Sequence, residues 1–173
     1  CKIIDASFPK GKNVFIEEGV ESIGNETFQN SSITTINIPN TVKTIGDNAF
    51  RASSLTHLSL GEGTTTIGKL AFAYCKGLTE IIIPKSINNI GYEAFDHCEN
   101  LTKATFHCDS IGMWFGWDSS LNQIVLGNEV RVLGNSAFEY SEISEITIPN
   151  SVASIGDGAF YNCKRLNSVT IPG

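Results

Sequence analysis

The chain has 173 residues, 41% of them hydrophobic, enough for one well-filled core, and its 18 acidic against 12 basic residues leave a net charge of −6. That sign disfavours a nucleic-acid surface, no run approaches the roughly 18 apolar residues of a membrane span, and no basic-then-apolar leader opens the chain, which reads as a mature or excised piece. Charged residues make up only 17%, with Ile, Val, Thr, Ser, Asn and Gly in their place, a β-rich composition.

Residues 1–12 match the rest of the chain only loosely, and Ile3, Ile4 and Phe8 are expected to fold over the first coil as a partial N-terminal cap. Cys1 is open to a reading as a lipidated residue left by signal removal, although nothing upstream supports it. From Asn13 to Gly173 one skeleton recurs: I-N-I-P-N-T-V-K-T-I-G-D-N-A-F from Ile36, I-I-I-P-K-S-I-N-N-I-G-Y-E-A-F from Ile81, I-T-I-P-N-S-V-A-S-I-G-D-G-A-F from Ile146. Aligned on glycine, the copies fall at Gly24, Gly46, Gly68, Gly91, Gly112, Gly134 and Gly156, steps of 21 to 23 residues. That period lies in the leucine-rich-repeat range. The whole chain thus reads as one α/β solenoid of about seven to eight coils.

Each coil opens on a short alternating strand whose inward pairs are Val14/Ile16, Ile36/Ile38, Leu58/Leu60, Ile81/Ile83, Ala104/Phe106, Ile124/Leu126, Ile146/Ile148 and Val169/Ile171. Pro closes the strand because it cannot donate a ladder hydrogen bond. An inward apolar residue follows, then Ile-Gly, where the missing Cβ permits a sharp bend or close packing. Ala-Phe is expected on a short helical turn, with Phe28, Phe50, Phe72, Phe95, Phe138 and Phe160 stacking as an internal spine. The last strand ends the chain with no coil beyond it, which predicts further repeats, a docked partner or end-to-end self-association through the terminal coils.

Three residues beyond each Phe stands a column of small side chains, Ser31, Ser53, Cys75, Cys98, Ser119, Ser141 and Cys163. Ser and Cys exchange freely there, so the column is read as turn packing with reduced thiols rather than metal binding or catalysis. A disulfide between Cys75 and Cys98 on adjacent rungs is sterically conceivable. Cys1 and Cys108 fall outside the column and are expected to be the accessible thiols. The coil at 107–121 is irregular: F-H-C-D-S-I-G lacks a corner pair, and M-W-F-G-W places Phe115 at the Ala position and Gly116 at the Phe position. Trp114 and Trp117 either refill the lost core volume or form an exposed aromatic platform for carbohydrate or protein.

Catalytic and cofactor motifs are absent. His57, His97 and His107 fall on different coils or faces, no Gly-rich phosphate loop occurs, and His107, Cys108 and Asp109 are chain neighbours rather than a convergent triad. No enzyme activity, metal or cofactor is expected. Asn25, Asn30 and Asn100 begin short matches to the glycosylation acceptor pattern.

The unit x-I-x-I-P-N-S-V-x-x-I-G-D-x-A-F-x-x-C, nearly whole from Ile146 to Cys163, resembles the BspA-type, or Treponema pallidum-type, leucine-rich repeats of surface proteins. The resemblance implies a right-handed solenoid with a parallel sheet on its concave side and short helical turns and loops opposite. It also implies an extracellular or cell-surface location and a role in adhesion to host matrix or cell-surface proteins. No functional residue carries over. The residues themselves leave two readings open: a binding module for protein or glycan, without nucleic acid or membrane insertion, or a structural spacer that presents another domain. For the binding module, the outward strand positions Phe15, Asn37, His57, Ser59, Ile82, Lys103, Thr105, Val125 and Thr147 are the candidate contacts, with Trp114 and Trp117 beside them. Eight strands with three outward positions each give about 500 Å², short of the roughly 800 Å² per partner of a standard interface.

Overall fold

The computed structural model describes residues 2–4, 14–116 and 119–171. Among the described residues, fifteen short strands form two series of parallel ladders. One series contains β3 (Thr35–Asn37), β5 (His57–Ser59), β7 (Glu80–Ile83), β9 (Lys103–Phe106), β11 (Gln123–Leu126), β13 (Glu145–Thr147) and β15 (Ser168–Thr170). These are the alternating strands expected from sequence, with Ile36, Ile81, Ala104 and Ile146 buried beneath exposed or half-exposed neighbours. The second series was not anticipated. It contains β2 (Val20–Ile23), β4 (Thr44–Ile45), β6 (Thr66–Ile67), β8 (Asn89–Ile90), β10 (Ser110–Ile111), β12 (Val132–Leu133) and β14 (Ser154–Ile155). From β3 to β13 the coils therefore bury their core between two sheets, whereas in the last coil Ile155 and Val169 are exposed; the residue before each aligned glycine is a strand residue.

The glycine beside this second series is required by close stacking. A Cβ on Gly46 would lie 2.5 Å from Asn25 Oδ1 and 2.7 Å from the backbone of the preceding coil, and Gly68, Gly91 and Gly156 stand in the same position. None of the four has a positive φ, so proximity rather than a sharp bend selects glycine there. Side chains after the glycines tie the coils together. Asn25 Oδ1 accepts from Asp47 N–H at 2.8 Å, Asp47 Oδ1 from Lys69 N–H at 2.8 Å, and Asn135 Oδ1 from Asp157 N–H at 2.9 Å.

The Ala-Phe segment is not helical, and no helix occurs among the described residues. Left-handed residues punctuate it, such as Asn48 at φ 54° and Ala52 at φ 55°, and interrupt any run of i to i−4 bonds. Its amides donate instead to the following coil: Phe28 to Ala49 O, Phe50 to Ala71 O, Phe72 to Ala94 O and Phe138 to Ala159 O, each at 2.7–2.8 Å. The phenylalanines stack as expected, with centroids 5.0 Å apart for Phe28/Phe50, 5.2 Å for Phe50/Phe72 and 5.3 Å for Phe72/Phe95.

Three further departures concern individual segments. Val14–Glu17 is not a strand and makes no ladder with β3, although Ile16 is buried. Of the segment expected as a partial cap, β1 (Lys2–Ile4) is a strand that extends the second series by pairing in parallel with β2; Phe8 and Cys1 lie outside the described residues. In the irregular coil, Phe95 N–H donates to Trp114 O at 2.8 Å, the bond that Ala accepts elsewhere. Trp114 therefore takes the Ala position and Phe115 the Phe position, one step from the expected alignment, because one residue is missing between Gly112 and the aromatic pair. Phe115 continues the spine at 5.8 Å from Phe95. Beyond it the strand residue Phe106 takes over, edge-on to Phe115 at 6.0 Å and to Phe138 at 5.7 Å.

Candidate binding face

The face that the repeat leaves open is the outer side of the first strand series. Ladder register brings Glu80, Lys103 and Gln123 into one row and Ile82, Thr105 and Val125 into the row beside it. On one flank Thr35 pairs with His57 and Asn37 with Ser59; on the other Glu145 pairs with Ser168 and Thr147 with Thr170. Alternation along each strand forces these side chains outward while their neighbours fill the core. Ile82 is 59% exposed and Val125 49%, two aliphatic side chains held in water on either side of Thr105. Phe15, 87% exposed, precedes the first strand of the series and stands off the sheet.

Charges on this face are mostly paired across neighbouring coils. Lys103 Nζ lies 3.6 Å from Glu80 Oε2, His107 Nδ1 3.4 Å from Glu129 Oε2, and Arg165 Nε 2.6 Å from Glu142 Oε2. Glu129 is held below the usual carboxylate range, first by a backbone hydrogen bond and then by His107. Glu145 has no ion-pair partner in the described structure. Exposed pairs of this kind are screened by water and contribute little to folding, so they shape the potential of the face more than its stability.

A groove of about 1330 Å³ crosses β11, β13 and β15, lined by Gln123, Val125, Glu145, Thr147, Ser168 and Thr170 among others. It follows from a missing ladder: β11 pairs with β9 but not with β13, and the inward residues Ile124 and Leu126 are only half-buried there. Sequence reasoning did not find this groove, and no residue type in either strand announces the lost pairing.

Trp114 does not belong to the face. At 6% exposure it packs on Phe106, with ring centroids 6.1 Å apart, and it fills core volume instead of offering a platform. Trp117 lies outside the described residues. Cys108 also departs from expectation: it is 1% exposed, and burial pushes its thiol up to about 11. Column residues Cys75 and Cys98 are buried free thiols whose Sγ atoms donate to Phe50 O and Phe72 O, each at 3.2 Å. His57, His97 and His107 sit on separate coils, bonded to Thr56, Asp96 and Glu129. No group of three metal-ligating side chains forms among the described residues.

The repeated coil matches the profile of the BspA type leucine-rich repeat region over residues 6–115 and 107–173, in six copies. The chain belongs to that family. Among solved structures it is similar to a leucine-rich cell surface protein from Faecalibacterium prausnitzii, at 32% identity and a TM-score of 0.71, over 88% of this chain and 43% of that one. It is also similar to the T. pallidum leucine-rich repeat protein, at 26% identity and 0.66, over 97% and 73%. A leucine-rich repeat protein from Bacteroides ovatus aligns at 25% identity and 0.55, over 92% and 55%. The chain thus spans less than two thirds of the length of the first and third of these. No curated protein matches it. BspA-type repeats typically serve as protein-binding surface modules, and no helix among the described residues of this array is long and apolar enough to cross a membrane.

Proposed function

We propose that this BspA-type array is a non-enzymatic module of a bacterial surface or secreted protein that adheres to a protein partner through the open strand face. The observation that carries this reading is the aliphatic pair Ile82 and Val125, held exposed in one ladder row around Thr105. A sheet serving only as a spacer gains nothing from two large apolar side chains in water at its centre, where Asn, Ser or Thr occupies the same row on the other strands. Support for the location comes from the similarity to a protein described as a cell surface protein.

The face is small. Seven strands at about 4.8 Å and three outward positions at about 6.8 Å span about 29 by 14 Å, or about 400 Å². That is half of the roughly 800 Å² per partner of a standard interface, so a single array binds weakly and attachment depends on avidity or on contacts outside the face. The test is the double substitution Ile82→Arg and Val125→Arg, with an unchanged melting temperature as the control for folding. Attachment of protein-coated beads to matrix proteins or whole cells is expected to fall at least tenfold. Undiminished attachment overturns the strand-face assignment, and no attachment by the unsubstituted chain favours a spacer.

A further inference from the structure

Resting on that strand-face reading, we infer the chemistry of the partner: a segment in the polyproline II conformation, carrying apolar side chains at positions i and i+3 and a basic residue beyond them. Ile82 and Val125 stand on alternate strands, Ile82 on β7 and Val125 on β11, with β9 between. Two strand spacings separate them by about 9.6 Å. A polyproline II helix repeats every three residues with a rise of about 3.1 Å each, so its i and i+3 side chains recur on one side every 9.3 Å or so. The two spacings agree to within a few tenths of an ångström, and Thr105 between them faces the gap that i+1 and i+2 leave.

Other partner geometries fit less well. An extended β-strand places same-side residues about 6.8 Å apart and cannot seat both anchors. An amphipathic α-helix needs an apolar band matched to a cylinder about 10 Å wide, whereas this track is one side chain wide. It is bounded on one side by the Glu80–Lys103 ion pair and on the other by His107 with Glu129. Glycans stack on aromatic faces, and the outward positions of β3 to β15 hold neither Trp nor Tyr. Charge sets the direction. The track runs from Val125 toward Thr147 and the groove, whose lining pairs Arg165 with Glu142 but leaves Glu145, in the row beside Thr147, with no ion-pair partner among the described residues, so the long side chain of a Lys or Arg following the second apolar residue meets a carboxylate one position to the side of the track. Polyproline II segments also lose little conformational entropy on docking, which suits a face of this limited area.

The experiment uses the full chain and three synthetic peptides on a proline framework. One carries leucines at i and i+3 followed by lysine, one has the leucines at i and i+2, and one keeps i and i+3 but replaces the lysine with glutamate. Fluorescence anisotropy is expected to show the first binding at least tenfold more tightly than the second and about threefold more tightly than the third. Ile82→Asn with Val125→Asn should abolish that preference without changing the circular dichroism spectrum. Equal affinity for the i+2 and i+3 peptides, or no binding by either, overturns the polyproline assignment. It does so even if the double arginine variant still loses attachment to cells, since that loss tests the face and not the conformation of its partner.

Discussion

At the scale of single residues, two kinds of position decide whether a coil can stack. The first is the glycine whose absent Cβ lets one corner lie on the next. Gly68→Ala would place a methyl group 2.5 Å from both the Asp47 backbone nitrogen and Asp47 Oδ1 and 2.6 Å from the Gly46 carbonyl carbon; the side-chain oxygen can swing away, but the two backbone atoms cannot. The expected cost is about 1–3 kcal/mol, the range for overpacking a rigid site, read from denaturant midpoints. Asp47→Ala is expected to cost less, about 1 kcal/mol, since it removes one hydrogen bond to Lys69 N–H at a solvent-accessible corner. The second is the thiol column. Burial raises the Cys75 thiol from 9.0 to about 11, and Cys98 moves in the same direction for the same reason. Because the folded state holds these protons more tightly than the unfolded chain does, their stabilisation is full below pH 9 and is lost as pH rises toward 11. A thiol-reactive dye at neutral pH is therefore expected to leave Cys75, Cys98 and Cys108 unlabelled in the native protein while labelling the half-exposed Cys163 slowly. Labelling of Cys75 as fast as Cys163 would show that the column opens on its own.

At the scale of elements, the alternating strands and the phenylalanine spine were legible because each is written in large apolar side chains at a fixed period. The second sheet was not, since its strands are two to four residues long and most present a single buried Ile or Leu. Only the ladder partners on neighbouring coils reveal such a strand, and pairing is a property of the stack. The helical expectation for Ala-Phe failed for a related reason: the amides that would close helical turns are claimed by the following coil. In the irregular coil, counting from Gly112 misassigned Phe115, since deletion of a turn residue shifts the count while the ring keeps its slot. The exposed row of the candidate face was readable from alternation alone, whereas the groove beside it arises from a missing ladder that no residue encodes. One consequence is measurable. β10 pairs with β12 but not with β8, so the irregular coil has lost one of its two sheet neighbours. Amide exchange at residues 107–116 is expected to be faster than at 39–50. Equal protection would mean that the buried rings of Trp114 and Phe115 compensate fully for the absent ladder.

At the scale of the whole molecule, stability is a sum over boundaries between coils, and cooperativity depends on none of them being weak throughout. The breaks are staggered. Between β5 and β7, and between β11 and β13, the first series is interrupted while β6–β8 and β12–β14 remain paired; between β8 and β10 the second series is interrupted while β7–β9 remains paired. The boundary following the irregular coil keeps both ladders, β9–β11 and β10–β12, but the spine has no direct stack from Phe115 to Phe138. Among the described residues Phe106 spans that gap, touching Trp114 and Phe115 on one side and Phe138 on the other. Among the described residues it is the one ring that touches aromatic rings on both sides of this junction. The intact chain is therefore expected to unfold in a single transition by circular dichroism and by intrinsic fluorescence together. Phe106→Ala should cost about 3–5 kcal/mol, as for a fully buried ring, and should also separate the two probes, since the tryptophan signal reports the coil at the junction while dichroism averages both halves. Phe106→Leu, which keeps an apolar bridge, should lower the midpoint less and leave the probes coincident. If Phe106→Ala lowers the midpoint with both probes still superimposed, the ladders alone transmit the coupling, and the ring contributes only its burial.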